Sequence, residues 1–289
     1  MRSWLFIPAD SPRKLEKGLT CGADILILDL EDSVAPDAKD TARKIAAEFL
    51  RTAASDQGPL LYVRVNALDT GLTDDDLDAV MQGHPDGIML PKSASGRDVT
   101  LLDAKIAPRE ALNDIEEGAV RIACVATETA AALFTLGSYA GSSDRLDALT
   151  WGAEDLSADL GATASRDETG HLTGPYQLAR SLCLAGAVSA AAQPVDTVFV
   201  DFRNEDGLRQ ECLAAVRDGF TGKLAIHPGQ IATINEAFTP SEQDIARAAL
   251  IVDAFAAAPG AGVVGLDGVM LDRPHLVRAQ KVLQRARLR

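Results

Sequence analysis

The sequence predicts an α/β protein, a closed (β/α)8 TIM barrel with a C-terminal helical lid or arm. Three observations predict it. Short apolar runs recur eight times, segments of helical spacing lie between them, and the pattern breaks after the eighth run. Eight strands alternating with crossover segments are what a parallel barrel requires.

The strands are predicted at Ser3–Pro8, Ile25–Glu31, Leu60–Asn66, Gly87–Lys92, Arg121–Thr127, Ala148–Asp155, Thr197–Phe202 and Lys223–Pro228. Each run is almost continuously apolar, as in a strand covered on both faces, and not alternating. Helical spacing appears over Thr41–Leu50, Asp74–Met81, Thr129–Leu136, Tyr176–Ala192 and Leu208–Asp218. Successive strand starts lie 22 to 49 residues apart, room each time for a crossover. An open doubly wound sheet would place a Gly-rich turn after its first strand; this strand runs instead into Pro8-Ala9-Asp10-Ser11-Pro12.

The barrel is assigned to 1–238 and the extension to 239–289. In the extension a helix over Ser241–Ala258, capped by Ser241, precedes a glycine-rich segment from Pro259. A basic helix then runs from about Pro274 to the end. Such a surplus suits a lid, or an arm reaching a neighbouring subunit.

Apolar residues make up 47% and charged residues 24%, the composition of a packed globular chain. The net charge of −14 argues against nucleic acid or an anionic membrane as partner, since both need a basic footprint. An anionic ligand must then be held by a local basic cluster or a metal. The four cysteines, Cys21, Cys124, Cys183 and Cys212, form no C-x-x-C pair and read as reduced thiols. The first apolar run is too short for a signal peptide, and no window reaches the ~18 apolar residues of a membrane span. A cytoplasmic protein is expected.

Polar residues gather where the predicted strands end. Asp29, Glu31 and Asp32 close strand two; Arg64 and Asn66 lie on strand three; Lys92 ends strand four. Glu128 follows strand five, Glu154 and Asp155 end strand six, Asp201 ends strand seven and His227 strand eight. Taken singly, Glu128 and Asp155 could be helix-start charges, Arg64 an ion pair and His227 a turn residue. Together, so many carboxylates at one barrel mouth demand a cation. Oxygen donors without a His/Cys cluster favour Mg²⁺, with Mn²⁺ the alternative.

Several ordered motifs carry a resemblance. They are Arg-Ser-Trp-Leu-Phe-Ile-Pro (2–8), Leu-Asp-Leu-Glu-Asp-Ser-Val (28–34), Val-Arg-Val-Asn (63–66) and Gly-Ile-Met-Leu-Pro-Lys (87–92). Glu-Thr-Ala (128–130), Trp-Gly-Ala-Glu-Asp-Leu (151–156), the stretch 219–231 and Met-Leu-Asp-Arg-Pro (270–274) continue the series. The chain resembles the citrate lyase β-subunit-like enzymes of the HpcH/HpaI aldolase superfamily, which include malyl-CoA and citramalyl-CoA lyases and malyl-CoA thioesterases.

The resemblance implies Mg²⁺ held by Glu128 and Asp155, with Glu31 and Asp32 holding metal-bound waters. It implies Arg64 on the reacting oxygen, and Arg2 and Lys17 near the CoA phosphates, with Arg13 and Lys14 close by. Gly152, Ala153 and Glu154 join the substrate contacts. Asp272, which by itself reads as a helix cap before Arg273-Pro274, is implied as the acid or base at the thioester α-carbon, commonly in a neighbour's site. That role calls for a carboxyl with a raised pKa. His227 reads as structural or mouth-lining. Phe202-Arg203-Asn204 departs from the family's usual pattern and bears on the acyl pocket. Homo-trimers or hexamers are implied.

The activity expected is Mg²⁺-dependent cleavage of a short β-hydroxyacyl-CoA to acetyl-CoA plus glyoxylate or pyruvate. Malyl-CoA hydrolysis, a citrate lyase β subunit acting on a carrier-protein thioester, and a non-catalytic barrel partner are the alternatives.

Overall fold

The computed structural model describes residues 1–53 and 58–287. Its chain divides into two compact units, Met1–Asn235 and Glu236–Arg289.

The first unit is a closed barrel in which eight parallel strands pair in sequence order and β1 closes on β8. It runs β1 (Ser3–Pro8), α1 (Pro12–Gly18), β2 (Ile25–Asp29), α2 (Lys39–Ala53), β3 (Leu60–Arg64), α3 (Thr73–Val80), β4 (Gly87–Leu90) and α4 (Gly96–Leu112). There follow β5 (Arg121–Val125), two 3-10 turns, β6 (Leu146–Thr150), α5 (Glu154–Leu160), α6 (Gly174–Ser189), β7 (Gln193–Asp196), α7 (Glu205–Asp218), β8 (Gly222–Ala225) and α8 (Ile231–Phe238), whose last residues lie past the unit's end at Asn235. Alternate residues point inward, so the barrel is filled by Trp4, Ile25, Ile27, Tyr62, Met89, Ala123 and their neighbours. Trp4 and Tyr62 meet edge to face with centroids 5.2 Å apart. Gly87 makes room for the Tyr62 ring: a Cβ there would lie 2.3 Å from it.

Most strands stop about two residues short of the apolar run, so the polar residues beyond them sit on loops. Strand seven differs more. It occupies Gln193–Asp196, not Thr197–Phe202. The later run contains Val200 and Phe202, both exposed, so its apolar character does not reflect burial in the sheet. Asp201 is therefore not a strand end. That place belongs to Asp196, which is buried and held by Trp151 Nε1 at 2.7 Å, Arg180 at 3.2 Å and Lys223 at 3.3 Å. The helix expected over Thr129–Leu136 is two 3-10 turns, Ala131–Phe134 and Leu136–Tyr139. Helix α4 opens with a reciprocal cap between Ser95 and Asp98, a signal present in the sequence. All four cysteines are free.

The second unit carries α9 (Glu242–Ala256), β9 (Val263–Leu266), β10 (Val269–Asp272) and α10 (Arg273–Arg287). Ser241 caps α9 as expected, accepting from Asp244 N–H at 3.1 Å. The glycine-rich segment is an antiparallel hairpin, β9 on β10, turned by Asp267 and Gly268, both with positive φ. Phe255, Val264 and Leu271 form this unit's own small core. No helix among the described residues is long and apolar enough to cross a membrane.

Candidate active site

Parallel strands bring all their carboxyl ends to one rim, and the loops after β2 to β6 deliver the site there. Arg64, the last residue of β3, points its guanidinium at Asp29, the last residue of β2. Nε–Oδ1 and Nη2–Oδ2 are both 2.7 Å, a bidentate fork. Arg64 Nη1 also lies 2.9 Å from Glu31 Oε2, an ion contact without hydrogen-bond geometry. The Phe6 ring lies under the guanidinium, 4.8 Å from Cζ to centroid. Burial opposes the charge on Arg64, but Asp29 and Glu31 together hold its pKa above the ordinary value. Asp29 is held below the usual carboxylate range: its burial is outweighed by Arg64, Ser33 and the Glu31 N–H.

The remaining carboxylates converge on Lys92. Its Nζ donates to Glu31 Oε1 at 2.6 Å and lies 3.5 Å from Asp155 Oδ1 and 3.6 Å from Asp32 Oδ2. Its backbone N–H donates to Glu128 Oε2. Glu128 is buried, 4% exposed, and its carboxyl is pushed up to about 8. Burial is the main cause; the Lys92 N–H opposes it, and the Asp155 and Glu31 charges add to it. Glu31 is raised too, burial outweighing Arg64 and Lys92. These are groups short of positive charge.

The donors fit a hard divalent cation. No group of three or more His, Cys, Asp or Glu among the described residues is arranged to hold a metal. Glu128 and Asp155 would supply two oxygens, leaving the other positions to water and substrate, as Mg²⁺ tolerates.

Gly152 has a structural reason to be glycine. A Cβ there would stand 2.8 Å from Glu128 Cγ. Its N–H donates to Thr127 Oγ1 at 3.2 Å. Ala153 is half-buried, and Glu154 is exposed at the start of α5.

Not every expected residue joins this cluster. Arg2 precedes β1 and so lies at the opposite rim, its guanidinium paired with Asp24 at 2.7 and 3.0 Å. Arg2 therefore lies apart from the carboxylate cluster. Lys17 is exposed in the last turn of α1, whereas Arg13 and Lys14 are exposed in its first turn, beside the mouth. Asp272 ends β10 in the second unit, exposed, with Oδ1 2.5 Å from His275 Nδ1. That contact holds its carboxyl below the usual range, opposite to the raised value expected of a proton donor. His227 stacks on Phe202 at 4.7 Å and takes a hydrogen bond from Gly229 N–H.

Sequence reasoning gave no role to Lys92 or Lys39. Lys39 Nζ ties together Leu30 O, Glu31 O and Asn66 Oδ1 at 2.7 to 2.8 Å, and so fixes the loop that carries Glu31. The strand-end position of Lys92 was a usable signal; Lys39 left none. A cavity of about 220 Å³ opens beside Lys92, lined also by Leu68, Asp69 and Ala94. It shares only Lys92 with the carboxylates and marks the edge of the mouth, not its centre.

The closed parallel barrel and its acidic, arginine-bearing mouth define a (β/α)8-barrel enzyme. The model of the HpcH/HpaI aldolase/citrate lyase family matches residues 2–228. The β subunit of citrate lyase from Escherichia coli (strain K12) is 36% identical over 99% of this chain and 93% of its own. The (3S)-malyl-CoA thioesterase of Cereibacter sphaeroides (strain ATCC 17025) is 35% identical over 99% and 94%. Among solved structures, protein CitE from Mycobacterium tuberculosis, in complex with magnesium, acetoacetate and coenzyme A, superposes with a TM-score of 0.78. It is 33% identical, with 99% of this chain and 97% of that one covered. The chain belongs to the HpcH/HpaI aldolase/citrate lyase family, among its citrate lyase β-subunit-like, metal-dependent lyases.

Proposed function

We propose that this enzyme cleaves a short β-hydroxyacyl-CoA, of the malyl-CoA or citramalyl-CoA type, to acetyl-CoA and glyoxylate or pyruvate, using Mg²⁺ held by Glu128 and Asp155. The observation that carries the reading is the meeting of Arg64, Glu31, Lys92, Glu128 and Asp155 at one rim.

Mg²⁺ bound there would supply Lewis-acid charge to the substrate's hydroxyl and carboxylate oxygens. Arg64 contributes a fixed positive charge to the substrate's hydroxyl oxygen, which is anionic once its proton has left and becomes the keto-acid's carbonyl oxygen as the carbon–carbon bond breaks. Asp29 keeps that guanidinium from turning away. Glu31 and Asp32 would orient water around a cation bound there. Arg13 and Lys14 stand on the rim where CoA phosphates would need countercharge, with Lys17 farther along α1. Asp272 is the proposed proton carrier to the α-carbon of the departing thioester, and His275 is its partner for that proton. The solution form proposed is a homo-trimer or hexamer.

Hydrolysis of malyl-CoA is the second reading, favoured by the 35% identity to a thioesterase. The β subunit of a partner-dependent citrate lyase is the third. The test is purified protein with Mg²⁺ and malyl-CoA, citramalyl-CoA or citryl-CoA, scoring acetyl-CoA, free CoA and keto-acid separately, with and without EDTA. Equal acetyl-CoA and keto-acid, lost with EDTA, is the expected result. Free CoA without keto-acid would make it a thioesterase, and silence on all three would favour the partner-dependent subunit.

A further inference from the structure

Lys92 stands two residues past β4, after Pro91, with a φ of 50°, a left-handed backbone for a residue that is not glycine. Such conformations persist only where the surroundings impose them, and they concentrate at functional sites. Here the turn has two consequences. It aims the Lys92 N–H at Glu128, and it sends the ammonium among Glu31, Asp32 and Asp155. One residue thus meets all four carboxylates assigned to the metal and its waters.

The two cations of the mouth are not alike. Arg64 is committed, its planar fork closed on Asp29. The Lys92 ammonium has one short bond, to Glu31, and two contacts of 3.5 and 3.6 Å, and its side chain is 33% exposed. A compact ammonium on a flexible stem, incompletely satisfied and open to water, is an exchangeable counter-ion.

We propose that Lys92 is a positioning residue that competes with the divalent cation for Asp155 and Glu31, while its backbone N–H keeps Glu128 aimed at the shared site. The carboxylates are then neutralised in either condition. The ammonium leaves Asp155 as the divalent cation arrives. This rests on the reading that Glu128 and Asp155 hold the metal, and the experiment separates the two.

Mn²⁺ affinity is measured on purified protein by the loss of the free-Mn²⁺ electron paramagnetic resonance signal, and melting is followed in EDTA and in Mg²⁺. Lys92→Met removes the competitor while keeping the backbone N–H. Its Mn²⁺ affinity should rise about tenfold, the melting temperature in EDTA should fall, and Mg²⁺ should restore it. Lys92→Arg keeps the charge but offers a fork that grips carboxylates more firmly, so Mn²⁺ affinity should fall several-fold. Unchanged or weakened affinity in Lys92→Met, or unchanged affinity in Lys92→Arg, would overturn the proposal. Glu128→Gln tests the underlying reading: Mn²⁺ binding equal to wild type in that variant would sink the metal assignment itself, whatever Lys92 does.

Discussion

Arg64 grips Asp29 through two parallel bonds of 2.7 Å, joining the last residues of β3 and β2, which are register partners in the sheet. The guanidinium is therefore fixed by the barrel wall itself and needs no mobile loop. Lysine at this position keeps the charge and loses the fork. Arg64→Lys should fold, bind Mg²⁺ as wild type does and lose about 10²–10³ in kcat, the usual cost of removing a preorganised donor from an oxyanion. Steady-state kinetics alongside metal titration check it; a kcat within a few-fold of wild type would remove Arg64 from the chemistry.

Glu128, as the proposed metal ligand, should make metal binding pH-dependent. With its carboxyl pushed up to about 8, a cation must displace a proton at neutral pH. Mg²⁺ affinity should rise about tenfold per pH unit from pH ~6, then level off above the carboxyl's own pKa. Calorimetric titration in buffers of different ionisation enthalpy would count the proton released. No proton release near neutrality contradicts the prediction.

Gly152 should be intolerant for a reason of space. A Cβ would enter the Glu128 side chain at 2.8 Å from Cγ. Gly152→Ala should weaken Mg²⁺ binding at least tenfold, about 1.4 kcal/mol, by displacing the carboxylate proposed to hold the metal. Melting should move far less than metal affinity.

Acid stability is expected to depend on a pair far from the mouth. Glu110, 1% exposed, meets Arg145 Nη2 at 2.6 Å and accepts from the Gly118 and Val120 N–H groups at 3.0 and 2.9 Å. Burial would raise its carboxyl, but Arg145 and these donors hold it below the ordinary range. A depressed folded pKa means stability that is fully present above the unfolded value of ~4.3 and lost as pH falls through the folded value. Glu110→Gln should cost about 3 kcal/mol at neutral pH, and the difference from wild type should shrink in that acid window. Urea melts across pH test it; a constant difference would show the charge to be irrelevant.

Asp272→Asn should leave Mg²⁺ affinity intact and lower kcat by about 10²–10⁴, the range of a lost general acid or base. His275 holds the Asp272 carboxyl low, so His275→Gln should raise it and move upward the limb of the kcat/KM profile on which cleavage falls as pH rises, because a proton donor must be protonated. A profile unmoved by His275→Gln would separate the two residues functionally.

The fold was legible because its signal is local. The apolar runs of β1 to β6 and β8 lie within a few residues of their predicted places, since burial on both faces is written into continuous Ile, Val and Leu. Strand seven was misplaced because Thr197–Phe202 is as apolar as a strand yet carries exposed residues, and composition does not tell one from the other. Glu31, Arg64, Glu128 and Asp155 were legible as neighbours because polar residues after apolar runs in a barrel all reach the same rim.

What the sequence by itself determined is the barrel, the acidic mouth and the family's motifs, because periodicity, charge and residue order are properties of the chain alone. The tertiary structure decided which charges meet. It sent Arg2 to the far rim with Asp24, turned Lys92 through a left-handed backbone onto the carboxylates, and set His275 beside Asp272. Those outcomes depend on direction along a strand, on one backbone angle and on distances of a few ångströms, through which pairing energies change steeply.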